Sequence, residues 1–189
     1  MFRAIRGPHT LRKTGTGGGM DPLDRLVARA EIEDCLKRYA RGVDRRDWDL
    51  VRGCFHADAR DHHGDFHGSP AEFIDWVRDR HASVPFSMHY LLNCLIEFGS
   101  ATEAAVETYF WALQRRDAPD GAGGTDIEVF GRYIDRFELR DGHWRIADRK
   151  VAYDSTRQTP STAHLRQLVG VLGQRDRTDP VYAASAPGP

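Results

Sequence analysis

Apolar positions follow two different periods along this chain. Over residues 21–53 they recur every third or fourth position, the spacing of a helix face, and from about residue 84 they tend to alternate, the spacing of a strand. Asp21-Pro22 opens the first helix, since Asp is a good N-cap and Pro suits the first helical position. Leu23, Leu26, Val27, Ala30, Leu36, Tyr39, Ala40 and Val43 then make one buried stripe, widened by Ile32 and Cys35. Gly42 weakens this helix near its end, and Arg45-Arg46-Asp47 breaks it. A short second helix is predicted from Asp47 to about Gly53, anchored by Trp48, Val51 and Phe55. Asp58–His63 reads as a short strand and Gly64-Asp65 as a turn. Ser69-Pro70 caps a third helix that carries Phe73, Ile74 and Val77 and ends near Arg80.

Four strands are predicted next, over about 84–98, 103–115, 126–139 and 143–153. Residues 118–124 form a loop on composition, and Asp141-Gly142 is a hairpin signal. A C-terminal helix is expected over 161–172 through Leu165, Leu168, Val169 and Leu172, with no order expected over 174–189. Helices followed by a meander of strands indicate α+β, with the helices covering one face of a curved antiparallel sheet.

In the first long strand the alternation gives unequal faces. Tyr90, Leu92, Cys94, Ile96 and Phe98 make an entirely apolar face, while His89, Leu91, Asn93, Leu95 and Glu97 make a mixed one. A mixed face suits a pocket wall, which is mostly apolar with a few placed polar groups. On the second strand Tyr109, Trp111 and Leu113 share a face read as lining core or pocket, with Phe110 opposite. Asp135, between Tyr133 and Phe137, is expected to be a buried polar group. Arg145, Ala147 and Arg149 share the face opposite Trp144 and Ile146 unless a bulge intervenes.

Composition narrows the classes. The 189 residues suit one domain with tails: 1–20 as an extension without fixed structure, 21–155 as the folded domain and 156–189 as a tail. Met20 is a candidate start as well as Met1. A net charge of −1 lacks the basic excess that nucleic-acid binding needs. No apolar run is long enough for a membrane span. Cys35, Cys54 and Cys94 are odd in number and far apart, so they read as reduced core thiols, which points to the cytoplasm. His62, His63 and His67 lie among Asp58, Asp61 and Asp65. Adjacent strand residues face opposite ways, so the cluster reads as exposed hairpin residues and no metal is expected.

Helix one ends in Tyr39-Ala40-Arg41-Gly42-Val43-Asp44. A five-residue helical step turns the two side chains about 140° apart, so Tyr39 and Asp44 converge only if the helix stops first. Together with Leu23–Ile32, Met88-His89-Tyr90…Asn93 and Asp141-Gly142-His143-Trp144-Arg145-Ile146, this segment resembles the SnoaL-like branch of the nuclear-transport-factor-two-like superfamily, over about residues 20–155. The resemblance implies a cone-shaped barrel of helices packed on a strongly curved sheet.

For a group of dehydrochlorinases and dehydratases in that branch, it implies a base at His89 oriented by Asp44. It adds Tyr39 and Arg149 as substrate-binding residues, and Asn93, Trp111 and Tyr109 join them as pocket residues. The expected chemistry is lyase or isomerase chemistry without metal or organic cofactor, on a small hydrophobic or polycyclic molecule. A binding module and a structural subunit of a ring-hydroxylating dioxygenase are the alternatives. With His89 inward, the apolar face Tyr90–Phe98 turns outward and is expected to be covered in a homodimer or homotrimer.

Overall fold

The computed structural model describes residues 20–118, 123–161 and 169–185. Three helices, α1 (Pro22–Arg45), α2 (Trp48–Arg52) and α3 (Pro70–His81), interleave with the short strands β1 (Phe55–His63) and β2 (Phe66–Gly68). The long strands β3 (Phe86–Phe98), β4 (Glu103–Asp117), β5 (Gly124–Arg140) and β6 (His143–Ser161) follow, then α4 (Pro180–Ser185). All six strands form one sheet in the order β2-β1-β6-β5-β4-β3. Only the β1–β6 pairing is parallel; the others are antiparallel. The core fills the space between the helices and one sheet face, around Ile32, Leu36, Tyr39, Phe73, Phe137 and Ile146.

Local chemistry sets the element ends. The Asp21 carboxylate accepts the Leu23 N–H at 2.8 Å, with Pro22 in the first turn. Ser69 and Glu72 form a reciprocal capping box at the start of α3. Asp141 and Gly142 both take positive φ, 51° and 76°, as the two-residue turn between β5 and β6 requires. At the end of α1, Arg46 adopts φ 52° and returns its N–H to the last carbonyls. Gly42 does not end the helix. Its role is clearance, because a Cβ there would stand 2.6 Å from Val51 Cγ2 of α2.

Four expectations are corrected. The α1 stripe is buried only from Ala28 onward, and Leu23, Leu26, Val27 and Ala30 are exposed, Leu26 at 64%. These turns meet the end of β3 through Arg25 on the Phe98 ring and Arg29 on the Ile96 carbonyl, while their apolar side chains stay exposed. The last strand runs to Ser161, beyond the expected end near Tyr153. Most of the expected helix over 161–172 lies outside the described residues, and 169–172 are not helical. Residues 174–185 are ordered: Arg45 pairs with buried Asp179 at 2.9 Å, and Arg177 and the Tyr182 hydroxyl both bond Asp47. These contacts bind the chain end across the C-terminus of α1. No helix among the described residues is long and apolar enough to cross a membrane.

Candidate active site

Asp44 occupies the last turn of α1 and is buried. Its Oδ2 accepts the backbone N–H of His89 at 2.8 Å, and its Oδ1 accepts the Ser87 hydroxyl at 3.1 Å. The same Oδ1 lies 2.7 Å from His89 Nδ1. An ionised carboxylate only accepts, so the proton of the neutral ring sits on Nδ1 and the lone pair on Nε2. Ser87 shares the inward face of β3 with His89, two residues away. That two-residue spacing is the sign of its role in the sequence.

His89 borders a cavity of about 500 Å³ between the sheet and α3. On its side stand Phe110, Ala112 and Gln114 of β4; across the cavity stand His63 of β1, Trp76 of α3 and Tyr153 of β6. The lining is mixed: aromatic rings and aliphatic side chains share it with three histidines and with polar groups such as Arg80, Arg116, Asp154 and Gln158.

Five residues expected at the pocket lie elsewhere. The pairing of β3 with β4 slips between Leu91 and Cys94, which is a bulge at Leu92-Asn93. The bulge inverts the alternation: Asn93 is exposed, and Cys94, Ile96 and Phe98 turn inward to the core instead of outward. Tyr109 and Trp111 are on the outer face, where Trp111 stacks on Tyr90 at 4.9 Å and on Phe130 at 6.0 Å; their neighbour Phe110 faces the cavity. Tyr39 and Arg149 are core residues that do not border the cavity.

Arg149 is inward because a bulge at Ala147 shifts the phase of β6. It is fully buried and donates to both oxygens of buried Asp135, at 2.7 and 2.6 Å. Its guanidinium lies between the rings of Tyr39 and Tyr133, at 4.2 and 4.1 Å from their centroids. Burial pushes the Asp135 carboxyl up, and the Arg149 charge opposes that shift. Burial likewise raises the Tyr39 and Tyr133 phenols. Because α1 continues through Asp44, Tyr39 points to this ion pair and Asp44 to β3; the two do not converge.

Further residues at the site escaped the sequence reading. His63 is half-buried among Phe73, Trp76 and Tyr153, not exposed, and its Nδ1 is 3.6 Å from buried Asp61. His62 and His67 face the other way and meet each other at 2.8 Å. His81, the last residue of α3, borders the cavity with its Nε2 3.3 Å from the Gln114 amide nitrogen. Burial, and then the charges of Arg175 and His89, push its pKa down to about 3. Arg175 arrives from the chain end. It donates to the carbonyls of Asp44 at 3.0 Å, Val43 at 3.2 Å and Val84, and to His81 Nδ1 at 3.0 Å.

The profile of the SnoaL-like domain matches residues 24–150. Terephthalate 1,2-dioxygenase, terminal oxygenase component subunit beta 2, from Comamonas sp is 31% identical over 114 residues, 60% of this chain and 68% of that one. The hexachlorocyclohexane dehydrochlorinase LinA-type3 from Novosphingobium barchaimii LL02 superposes with a TM-score of 0.65 at 24% identity, covering 76% of this chain and 97% of its own. A protein proposed to be a scytalone dehydratase, from Novosphingobium aromaticivorans, gives 0.63 at 22% identity, covering 71% and 89%. At such identities the structural likeness speaks to the fold.

Proposed function

The chain belongs to the SnoaL-like domain family, and from that premise we propose that it is a lyase or isomerase of dehydratase type, acting on a small hydrophobic molecule. The observation that carries this reading is the buried 2.7 Å contact of Asp44 with His89 at the wall of a cavity lined by both aromatic and polar side chains. His89 Nε2 takes a proton from carbon next to a carbonyl. The C–H electron pair passes to the carbonyl oxygen as an enolate. Its return forms the C=C bond and expels a hydroxyl or halide from the β-carbon with the bonding pair. Asp44 holds the ring in the required tautomer and balances its charge as the proton arrives. The proton held by His89 balances the hydroxide or halide that leaves, and this route calls on no metal or organic cofactor.

Loss of β-elimination from a panel of β-hydroxy and β-halo ketones, by about 10²–10⁴-fold in H89A, supports the assignment. Undiminished turnover in H89A and D44N removes it.

A second reading has its own support. The Comamonas relative is a subunit of an oxygenase component, so this chain could serve as a structural subunit; it would then co-purify with a larger chain and show no proton chemistry. In either case we place a second copy of this chain on the outer sheet face, where the Tyr90–Trp111–Phe130 stack lies beside exposed Leu92, Leu95 and Ile134.

A further inference from the structure

Two histidines border the cavity close together, and their partners force opposite tautomers. His89 gives its Nδ1 proton to a carboxylate, which leaves Nε2 as an acceptor. His81 receives at Nδ1 from Arg175, whose guanidinium has donors only. Its ring is neutral: burial comes first, Arg175, His89 and Arg46 act in the same direction, and only Asp44 opposes them. The single ring proton is therefore on Nε2, the nitrogen that meets the Gln114 side chain. Two N–H groups cannot share that 3.3 Å contact, so the tautomer assigns the amide oxygen, rather than the nitrogen placed there, to His81 and leaves the NH₂ on the other side. Gln114 is on β4, on the same strand face as the cavity residues Phe110 and Ala112.

Arg175 fixes both halves of this arrangement. It holds His81 through Nδ1 and the end of α1 through the Asp44 carbonyl. A residue 131 positions from Asp44 along the chain thus ties the helix end that carries Asp44 to the histidine that meets Gln114, which sits beside His89 on the paired strand.

We propose that Gln114 is the donor that receives the substrate's carbonyl oxygen, with His81 and Arg175 as the positioning residues that turn its NH₂ into the cavity. This rests on the proton-abstraction reading and gives it a substrate class: an uncharged aromatic or alicyclic ketone with an acidic C–H beside the carbonyl. The amide N–H strengthens its hydrogen bond as the carbonyl becomes an enolate, while His89 stands ready for the proton. A neutral donor beside an unprotonated base keeps the two roles apart at the same pH.

The test uses 2-acetonaphthone, labelled with ¹³C at the carbonyl, and the full-length protein. Difference infrared spectroscopy reads the hydrogen bond to the bound ketone, and methyl-proton exchange in D₂O reads the base. In the wild type the carbonyl band should lie below its position in an apolar solvent. Q114L, and Q114E, which keeps the shape but loses the NH₂, should move the band back up and weaken binding roughly three- to tenfold. R175M should act in the same direction, and R175K should restore the wild-type band, which a merely structural role of Arg175 would not produce. H89A should keep the low band and lose the exchange. A low band with no exchange in the wild type would remove the base assignment and leave the donor assignment standing. A band unchanged in Q114L and Q114E, or no saturable binding of the ketone, would overturn the inference.

Discussion

Asp44 and His89 are 45 positions apart in the chain, and their side chains meet at 2.7 Å. The contact joins the last turn of α1 to the inner face of β3, and two further donors, Ser87 Oγ and the His89 N–H, bond the same carboxylate. D44N replaces one acceptor oxygen with a donor NH₂ facing those groups. It is expected to cost about 1–3 kcal/mol of stability, measured by urea unfolding. ¹⁵N spectra of the imidazoles should show His89 protonated at Nδ1 in the wild type and mixed between tautomers in D44N.

The Arg149–Asp135 pair is buried beneath the site without lining it. Removing one partner strands the other charge, so R149M should destabilise the protein by about 3–5 kcal/mol. The double replacement R149M/D135L should recover most of that loss, because a buried ion pair can give way to apolar side chains at little net cost. Urea unfolding of both variants checks this.

His81 makes stability depend on pH with a defined sign. Its pKa is about 3 in the fold against an ordinary value of 6.5. Between those values the unfolded chain binds a proton that the folded chain does not, so stability is full above pH 6.5 and falls as the pH drops toward 3, by about 1.4 kcal/mol per unit. Between pH 7 and pH 5 the wild type should lose about 2 kcal/mol more than H81Q in paired unfolding curves.

The outer face of β3 and β4 carries stacked aromatic rings and exposed leucines. Sedimentation velocity should find the wild type self-associated, and L92E or L95E should shift it to monomer while leaving far-UV circular dichroism unchanged. A monomeric wild type at tens of micromolar would contradict the proposed interface.

The element order was legible in the sequence because capping residues and apolar period agree: Asp21-Pro22, Ser69-Pro70 and Asp141-Gly142 each stand where the structure begins or turns an element. Side-chain direction was less legible. Period-two reading carries a phase along a strand, and one extra residue reverses it, as the bulges at Leu92-Asn93 and Ala147 do. That is why Asn93 left the pocket and why Arg149 became the partner of Asp135. Tyr109 and Trp111 were misplaced for a different reason. An aromatic alternation does not say which side of a sheet the helices cover. His81 and Arg175 were invisible because their meaning lies in contacts across 94 residues, which no local spacing records.

The claim that His89 is a carbon base is tested most directly by hydrogen–deuterium exchange at the carbon beside the carbonyl of bound 2-acetonaphthone, followed by NMR. The account predicts exchange above the buffer rate in the wild type, reduced about 10²–10⁴-fold in H89A and strongly reduced in D44N. Exchange at the same rate in the wild type and H89A, with the ketone bound by both, would contradict it.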